Sequence, residues 1–272
     1  MAEKADSKNP VRVGPNILAP VILAPVILAP VILALEASGN AASAAVLIDG
    51  KIAGMAEHKA RHGHAETLIS LAEEAISATD CPLSDITHIA AGCGPGSFTG
   101  LRVCLSAAKG YMLAIGARPI GVSGLAALAY QAHKEQSGTE KIAYLACADS
   151  RRGSVFAQFF DAECRAQGNI EDMKADQLKT ACVNALKKGD IEKLILCGLA
   201  EAEADTEIAR PADFAPLPES TKIEFDAHTL NAADIAHYAF AALGAPDIYP
   251  VSGFEPLYIA APRLGGQRPP TA

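Results

Sequence analysis

Gly92-Cys93-Gly94-Pro95-Gly96-Ser97-Phe98-Thr99-Gly100-Leu101-Arg102, running on to Ala107-Ala108-Lys109-Gly110, turns a strand into a helix. The preceding Ile86-Thr87-His88-Ile89-Ala90-Ala91 is a short β-branched and apolar run. The following Leu101–Ile115 has the length and apolar content of a buried helix. The glycines let the backbone turn where a Cβ would obstruct it, and bring it close to whatever lies opposite. Such a loop leaves N–H groups at a helix start, which together with the dipole attract anions. Gly94, Gly96, Ser97, Thr99, Gly100 and Arg102 are therefore candidate residues for holding a phosphate. A cation in the first turn opposes the macrodipole, so Arg102 calls for a carboxylate or a bound anion. The string is neither a Walker A sequence nor a complete dinucleotide fingerprint, and by spacing alone a tight βα turn with Arg102 in an ion pair is favoured over a ligand site.

Outward from the loop, strand patterns at Val31–Ala37, Ser43–Ile48 and Lys51–Glu57 are joined by Gly39-Asn40 and the hairpin signal Asp49-Gly50. A helix at His64–Ala78, a strand at Thr87–Cys93, the helix Leu101–Ile115, a strand at Pro119–Val122 and a helix at Gly124–His133 complete the order β-β-β-α-β-α-β-α. A second, more diverged copy starts at Lys141, with strands at Ile142–Ala148 and Ser154–Phe160, a helix near Ala175–Lys188 and a strand at Lys193–Cys197. Leu199–Lys222 is acidic and rich in Ala and Pro, and reads as loop. Leu230–Leu243 is helical again, and Gly244-Ala245-Pro246 stops it.

Gly94-Pro95-Gly96-Ser97-Phe98-Thr99-Gly100-Leu101-Arg102 as a whole string resembles the bacterial TsaB (YeaZ) family. So do Ile32–Ser38, His64-Ala65-Glu66, Arg118–Ser123, Asp149–Phe156 and Glu255-Pro256-Leu257-Tyr258, over about residues 31–262. The resemblance implies an α/β chain of the actin-like ATPase (ASKHA) fold, built from two β-β-β-α-β-α-β-α half-domains. They are expected at 31–135 and 136–272, with the C-terminal segment returning to the first. It implies a noncatalytic, cytoplasmic subunit that supports a TsaD-like catalytic subunit in making threonylcarbamoyladenosine beside the anticodon of tRNA. Through that complex it would meet a TsaE-like ATPase, with tRNA touched only indirectly, and alone it would be a homodimer. No cofactor is required by such a chain, and weak ATP or ADP binding is the most it would show.

The two helices that flank the loop carry more apolar surface than one buried face uses. Helix His64–Ala78 presents Leu68, Ile69, Leu71, Ala72, Ala75 and Ile76, and in Leu101–Ile115 only Arg102, Ser106 and Lys109 interrupt the apolar run. Burial inside the chain and cover by a second protein are the two readings. In the family resembled, the corresponding helices form a bundle with a second protein, which makes His64, Leu68, Leu71, Ala72, Ala75, Val103, Ala107, Ala108, Tyr111 and Met112 the candidate partner interface.

Composition fits this class. The chain has 272 residues, 50% hydrophobic, enough for one large core or two ordinary ones. A net charge of −8 with no run of Lys and Arg argues against gripping nucleic acid unaided. Seven cysteines without a C-x-x-C pair read as reduced core residues. Residues 1–30 form an extension in which Ile17-Leu18-Ala19-Pro20 recurs as Val21–Pro25 and Val26–Pro30, and Pro20, Pro25 and Pro30 each remove a helical hydrogen bond at about 3 kcal/mol, so no membrane span is expected. This extension reads as a disordered or artefactual copy of the first strand's entry.

Catalytic chemistry finds little support. His58 and His62 have H-x-x-x-H spacing, but no Glu follows His58 and the pair precedes the helix. The catalytic relatives carry a metal-binding H-x-x-x-H after the strand matching Pro119–Val122, and here those frames fall on Gly124 and Leu128. The family's Asp-Thr-Ser reads Glu36-Ala37-Ser38, and its Tyr-Leu-Arg reads Tyr258-Ile259-Ala260. Asp149 with Arg151 and Arg152 suits either a turn-fixing ion pair or a cleft. Cys93 and Cys104 lack a base in the sequence nearby. The catalytic and metal sets are thus read as empty. The alternatives are a metal-dependent enzyme of the glycoprotease-like superfamily and an actin-fold ATPase or sugar kinase.

Overall fold

A computed structural model describes residues 29–39, 41–59, 64–137, 141–187, 191–199, 222–246, 249 and 252–259. The N-terminal repeats up to residue 28, His62, residues 200–221 of the acidic stretch and Ala260 lie outside the described residues.

The first half runs β1 (Val31–Glu36), β2 (Ala41–Ile48), β3 (Lys51–Lys59), α1 (His64–Ser77), β4 (His88–Gly92), α2 (Phe98–Ile115), β5 (Arg118–Val122) and α3 (Gly124–Lys134). The second runs β6 (Ile142–Asp149), β7 (Val155–Phe160), β8 (Ala166–Met173), α4 (Ala175–Lys187), β9 (Lys193–Cys197), β10 (Lys222–Asp226) and α5 (Ala232–Gly244). Each half forms a five-stranded sheet, ordered β3-β2-β1-β4-β5 and β10-β9-β6-β7-β8. In both, an antiparallel meander is followed by parallel strands on the far side of its first strand. That repeated topology is the actin-like fold.

Two strands absent from the sequence reading, β8 and β10, are sheet edges. Their residues are mostly exposed or half-buried, so no apolar alternation marks them. Residue 222, expected at the end of a loop, starts β10. Helix α2 begins at Phe98, three residues earlier than the apolar run suggests, because Ser97 caps it and accepts the Gly100 N–H at 3.3 Å.

Side-chain alternation along the central strand β1 divides the core. Leu33 and Leu35 pack towards α1 and α2, whereas Ile32 and Ala34 join a second cluster with α3 and α5. Strand β6 does the same for its sheet: Tyr144 and Ala146 face α3 and α5, Leu145 and Cys147 face α4. The layers therefore run α1/α2, first sheet, α5/α3, second sheet, α4. Helix α3, from the first half, covers the second sheet, and α5, from the second half, covers the first. Both are rich in alanine, which lets two helices lie close together between two sheets. Residues 252–258 also reach the first sheet, where Ser252 bridges Gly121, Phe254 is buried and Leu257 donates its N–H to Cys93.

Candidate functional site

The glycine loop is tied to three other segments. The Ser97 N–H donates to the Ser38 carbonyl at 2.8 Å, the Gly94 carbonyl accepts from Gly124, and the Cys93 carbonyl accepts from Leu257. A Cβ at Gly100 would run into the Ala37 carbonyl, so only glycine lets α2 start this close to the end of β1. Two N–H groups expected to be open to an anion, those of Ser97 and Gly100, are thus already bonded within the chain. Gly94 and Gly100 are buried, Gly96 and Ser97 are half-buried, and Thr99 and Arg102 are exposed. Arg102 lies over the Phe98 ring at 3.9 Å, and its Nε donates to the Tyr258 hydroxyl at 3.4 Å. An aromatic pair therefore takes the guanidinium that the sequence left seeking a carboxylate or an anion.

Between the halves, the loop faces the β6–β7 turn across a cleft lined by Ser38, Gly96, Gly124, Leu128, Asp149 and Arg151. The cleft encloses about 20 Å³, the space of a single water. Asp149 joins the two readings left open for it: its carboxylate accepts the Arg151 N–H at 2.7 Å, sits 3.7 Å from Arg151 Nε, and borders the cleft. A Cβ at Gly124 would come within 2.8 Å of Leu230 Cδ2, the tip of that side chain. Leu128 is buried in the core shared by α3 and α5.

Glu36 is fully buried below the loop. Its Oε1 accepts from the Ser38 N–H and hydroxyl, Oε2 has no partner, and the carboxyl presses against Gly92, where a Cβ would collide with it. Burial pushes its pKa up, against the lowering effect of the Ser38 hydrogen bonds. A carboxyl turned into the core this way is not offered to a ligand in the cleft. Burial likewise raises the Cys93 thiol to about 11 and lifts Cys104, so both remain thiols rather than nucleophilic thiolates. His58 stands exposed at the end of β3.

The proposed partner face needs revision. Leu68, Leu71, Ala72, Ala75 and Ala108 are at most 7% exposed and belong to the core between α1, α2 and the first sheet. They have no surface left for a second protein, because one wide apolar stripe on each helix is consumed by the sheet and by the neighbouring helix. Val103, Ala107, Tyr111 and Met112 are half-buried, and His64 opens α1. The sequence reading left out Leu113 from the interface set, although it is 76% exposed, and Ile69, 45% exposed. Helical phase relative to the sheet was the missing signal.

The TsaD: tRNA N6-adenosine threonylcarbamoyltransferase family model matches residues 43–245. The tRNA threonylcarbamoyladenosine biosynthesis protein TsaB of Escherichia coli is 33% identical over 123 residues, 45% of this chain and 52% of that protein. A tRNA N6-adenosine threonylcarbamoyltransferase of Jannaschia sp. is 41% identical over 73 residues, 27% of this chain and 20% of that one. The chain spans about half the length of the TsaB relatives it matches. Among solved structures, YeaZ from Pseudomonas aeruginosa superposes with a TM-score of 0.62 at 22% identity, covering 85% of this chain and 100% of that one, and shares its fold.

Proposed function

The chain belongs to the TsaD: tRNA N6-adenosine threonylcarbamoyltransferase family, and from that membership we propose that it is the TsaB-like, noncatalytic subunit supporting a TsaD-like enzyme. The observation that carries this reading is the pair Gly124 and Leu128, neither of which has a lone pair to offer a metal. The resemblance puts histidines of a family enzyme at these two positions, and here a Cβ at Gly124 would meet only the tip of Leu230 within 3 Å. The partner position, Leu128, is an aliphatic residue in the core. Glu36, in place of the family's first-strand Asp, is fully buried, bonded to Ser38, and does not itself line the cleft.

The work left to such a chain is binding. The outward sides of α1 and α2 supply the surface, through Ile69, Leu113, Val103, Ala107 and Tyr111. On this proposal the surface meets a second copy when the chain is alone and the catalytic subunit when that is present, with a TsaE-like ATPase and tRNA reached through the complex. The setting is the cytoplasm, where tRNA is modified. Among the described residues no helix is long and apolar enough to cross a membrane. Co-expression with a TsaD-like subunit tests the reading: a stable complex is expected, with threonylcarbamoyl transfer only when both chains are present. Transfer by this chain alone, or failure of the two to co-elute, refutes it.

A further inference from the structure

Among the described elements the chain passes between its halves at two places, from α3 into β6 and from β10 into α5, and each carries a polar tie. At the first, Lys193 at the start of β9 is buried; its Nζ donates to Gln136 Oε1 at 3.0 Å and pairs with Glu224 of β10 at 2.6 Å. At the second, His228 Nε2 donates to Asp234 Oδ2 at 2.8 Å, and the His228 N–H donates to Asp226 Oδ1, also at 2.8 Å. Asp226 ends β10, and the buried Asp234 lies in the first turn of α5. That turn is bonded in its own right to the first sheet, because the Ala232 N–H donates to Ser43 Oγ of β2 at 2.9 Å. A line of hydrogen bonds thus runs from the second sheet through His228 and Asp234 to α5, and from α5 to the first sheet.

The second tie turns on an imidazole, the side chain that changes charge near neutrality. Three carboxylates face it: Asp234 from α5, Asp226 from β10 and Glu135 from the end of α3. Asp226 Oδ2 is buried with no partner. The hydrogen bond to Asp234, joined by the three negative charges, holds the His228 pKa above its usual value against the effect of burial. Lys134 of α3 and His237 of α5 also act on Asp234; burial, and then Lys134, hold the His237 imidazole down, so it does not take over as the cation. A bond from imidazolium to a carboxylate is roughly twice as strong as a neutral one, and losing the proton also removes the positive charge that the carboxylates face. Short connections between domains are where hinge motion is absorbed. We propose that His228 is a proton-operated pin of the hinge: protonated, it holds β10 to the start of α5 and so to the first sheet, and deprotonated, it lets the halves rock about the tie made by Lys193. The inference concerns the chain alone and does not rest on the partner reading.

Hydrogen exchange of the full chain at about pH 6 and about pH 9, each amide's rate divided by its intrinsic rate at that pH, tests the pin. The Asn231 N–H, which donates to Asp234 Oδ2 at 2.9 Å, and the Ala232 and Ala233 N–H groups should open at least about five-fold more at the higher pH, while β1 amides keep their protection. Paired spin labels read the halves themselves. Of the cysteines only Cys81 is not buried, so Cys81→Ser with Glu74→Cys and Glu171→Cys puts one label on α1 and one on β8, at exposed positions. Their distance distribution should broaden as the pH rises. His228→Gln should abolish both responses, with folding checked by circular dichroism, and His228→Asn serves if that variant misfolds. Protection and distances that ignore pH, or that respond equally in a folded His228 variant, would overturn the proposal. So would opening of the first turn of α5 with unchanged distances, which would confine the effect to the helix start.

Discussion

Leu113→Glu separates an assembly surface from a core. Leu113 sits near the end of α2 with 76% of its surface in water, so a carboxylate there should cost the isolated chain under about 0.5 kcal/mol. In an assembly the same position behaves differently. Burying a whole leucine side chain yields about 1.5–3 kcal/mol, and three quarters of that remains to be gained here, roughly 1–2 kcal/mol. Desolvating an unpaired carboxylate at an interface adds at least about 2 kcal/mol against binding. The sum, about 3 kcal/mol or more, weakens association on the order of 100-fold. Light scattering after size exclusion, with and without a TsaD-like subunit, reads the effect directly. The variant should melt like the parent, run as a monomer and fail to co-elute. Leu71→Glu provides the contrast: at 7% exposure inside the core, its charge should cost about 3–5 kcal/mol and unfold the chain. Assembly by Leu113→Glu equal to the parent's would show that the outward side of α2 is not the interface.

Three further outcomes follow from the buried groups. The Glu36 pKa is raised in the folded chain, so its stabilising contribution is present below the unfolded value near 4.5 and is lost as pH rises through the folded pKa. Glu36→Gln should therefore gain stability relative to the parent at neutral pH and lose that advantage in acid; parallel urea midpoints from pH 4 to 8 would contradict this. His228 has its pKa raised, chiefly by its 2.8 Å hydrogen bond to buried Asp234, so the pair's contribution is full below about 6.5 and fades as pH climbs through the folded value. His228→Ala should cost roughly 1 kcal/mol at pH 6 and less at pH 9, by chemical denaturation at both; an equal cost at both pH values would mean the ion pair contributes nothing. Gly121→Ala should destabilise by about 1–3 kcal/mol because its Cβ would collide with the Gly253 carbonyl, a backbone atom, whereas Gly124→Ala should cost under about 1 kcal/mol because the Leu230 tip that it meets can shift; equal urea midpoints for the two variants would place the strain elsewhere.

The family matched by residues 43–245 could be read from the glycine string and its flanks without coordinates, because those residues are fixed by backbone geometry that few sequences satisfy. The first half's element order was equally legible. Its central strands β1, β2 and β4 are apolar runs buried on both faces, and helices α2 and α3 begin at the capping residues Ser97 and Ser123. Gly124 and Leu128 also spoke from sequence, since neither side chain offers a lone pair to a metal.

What tertiary structure decided was which side of each element faces what. The exchange of α3 and α5 between the two sheets depends on long-range packing of alanine-rich helices, which carries no local signal. The same packing buried Leu71 and left Leu113 in water, though both read as mid-pattern apolar residues. It turned Glu36 into the core against Gly92, and it closed the cleft to the size of one water. Beside that cleft, the fold also gathers Tyr258, Arg151 and Arg152 around one cavity of about 330 Å³, although Tyr258 lies more than a hundred positions from the two arginines in sequence.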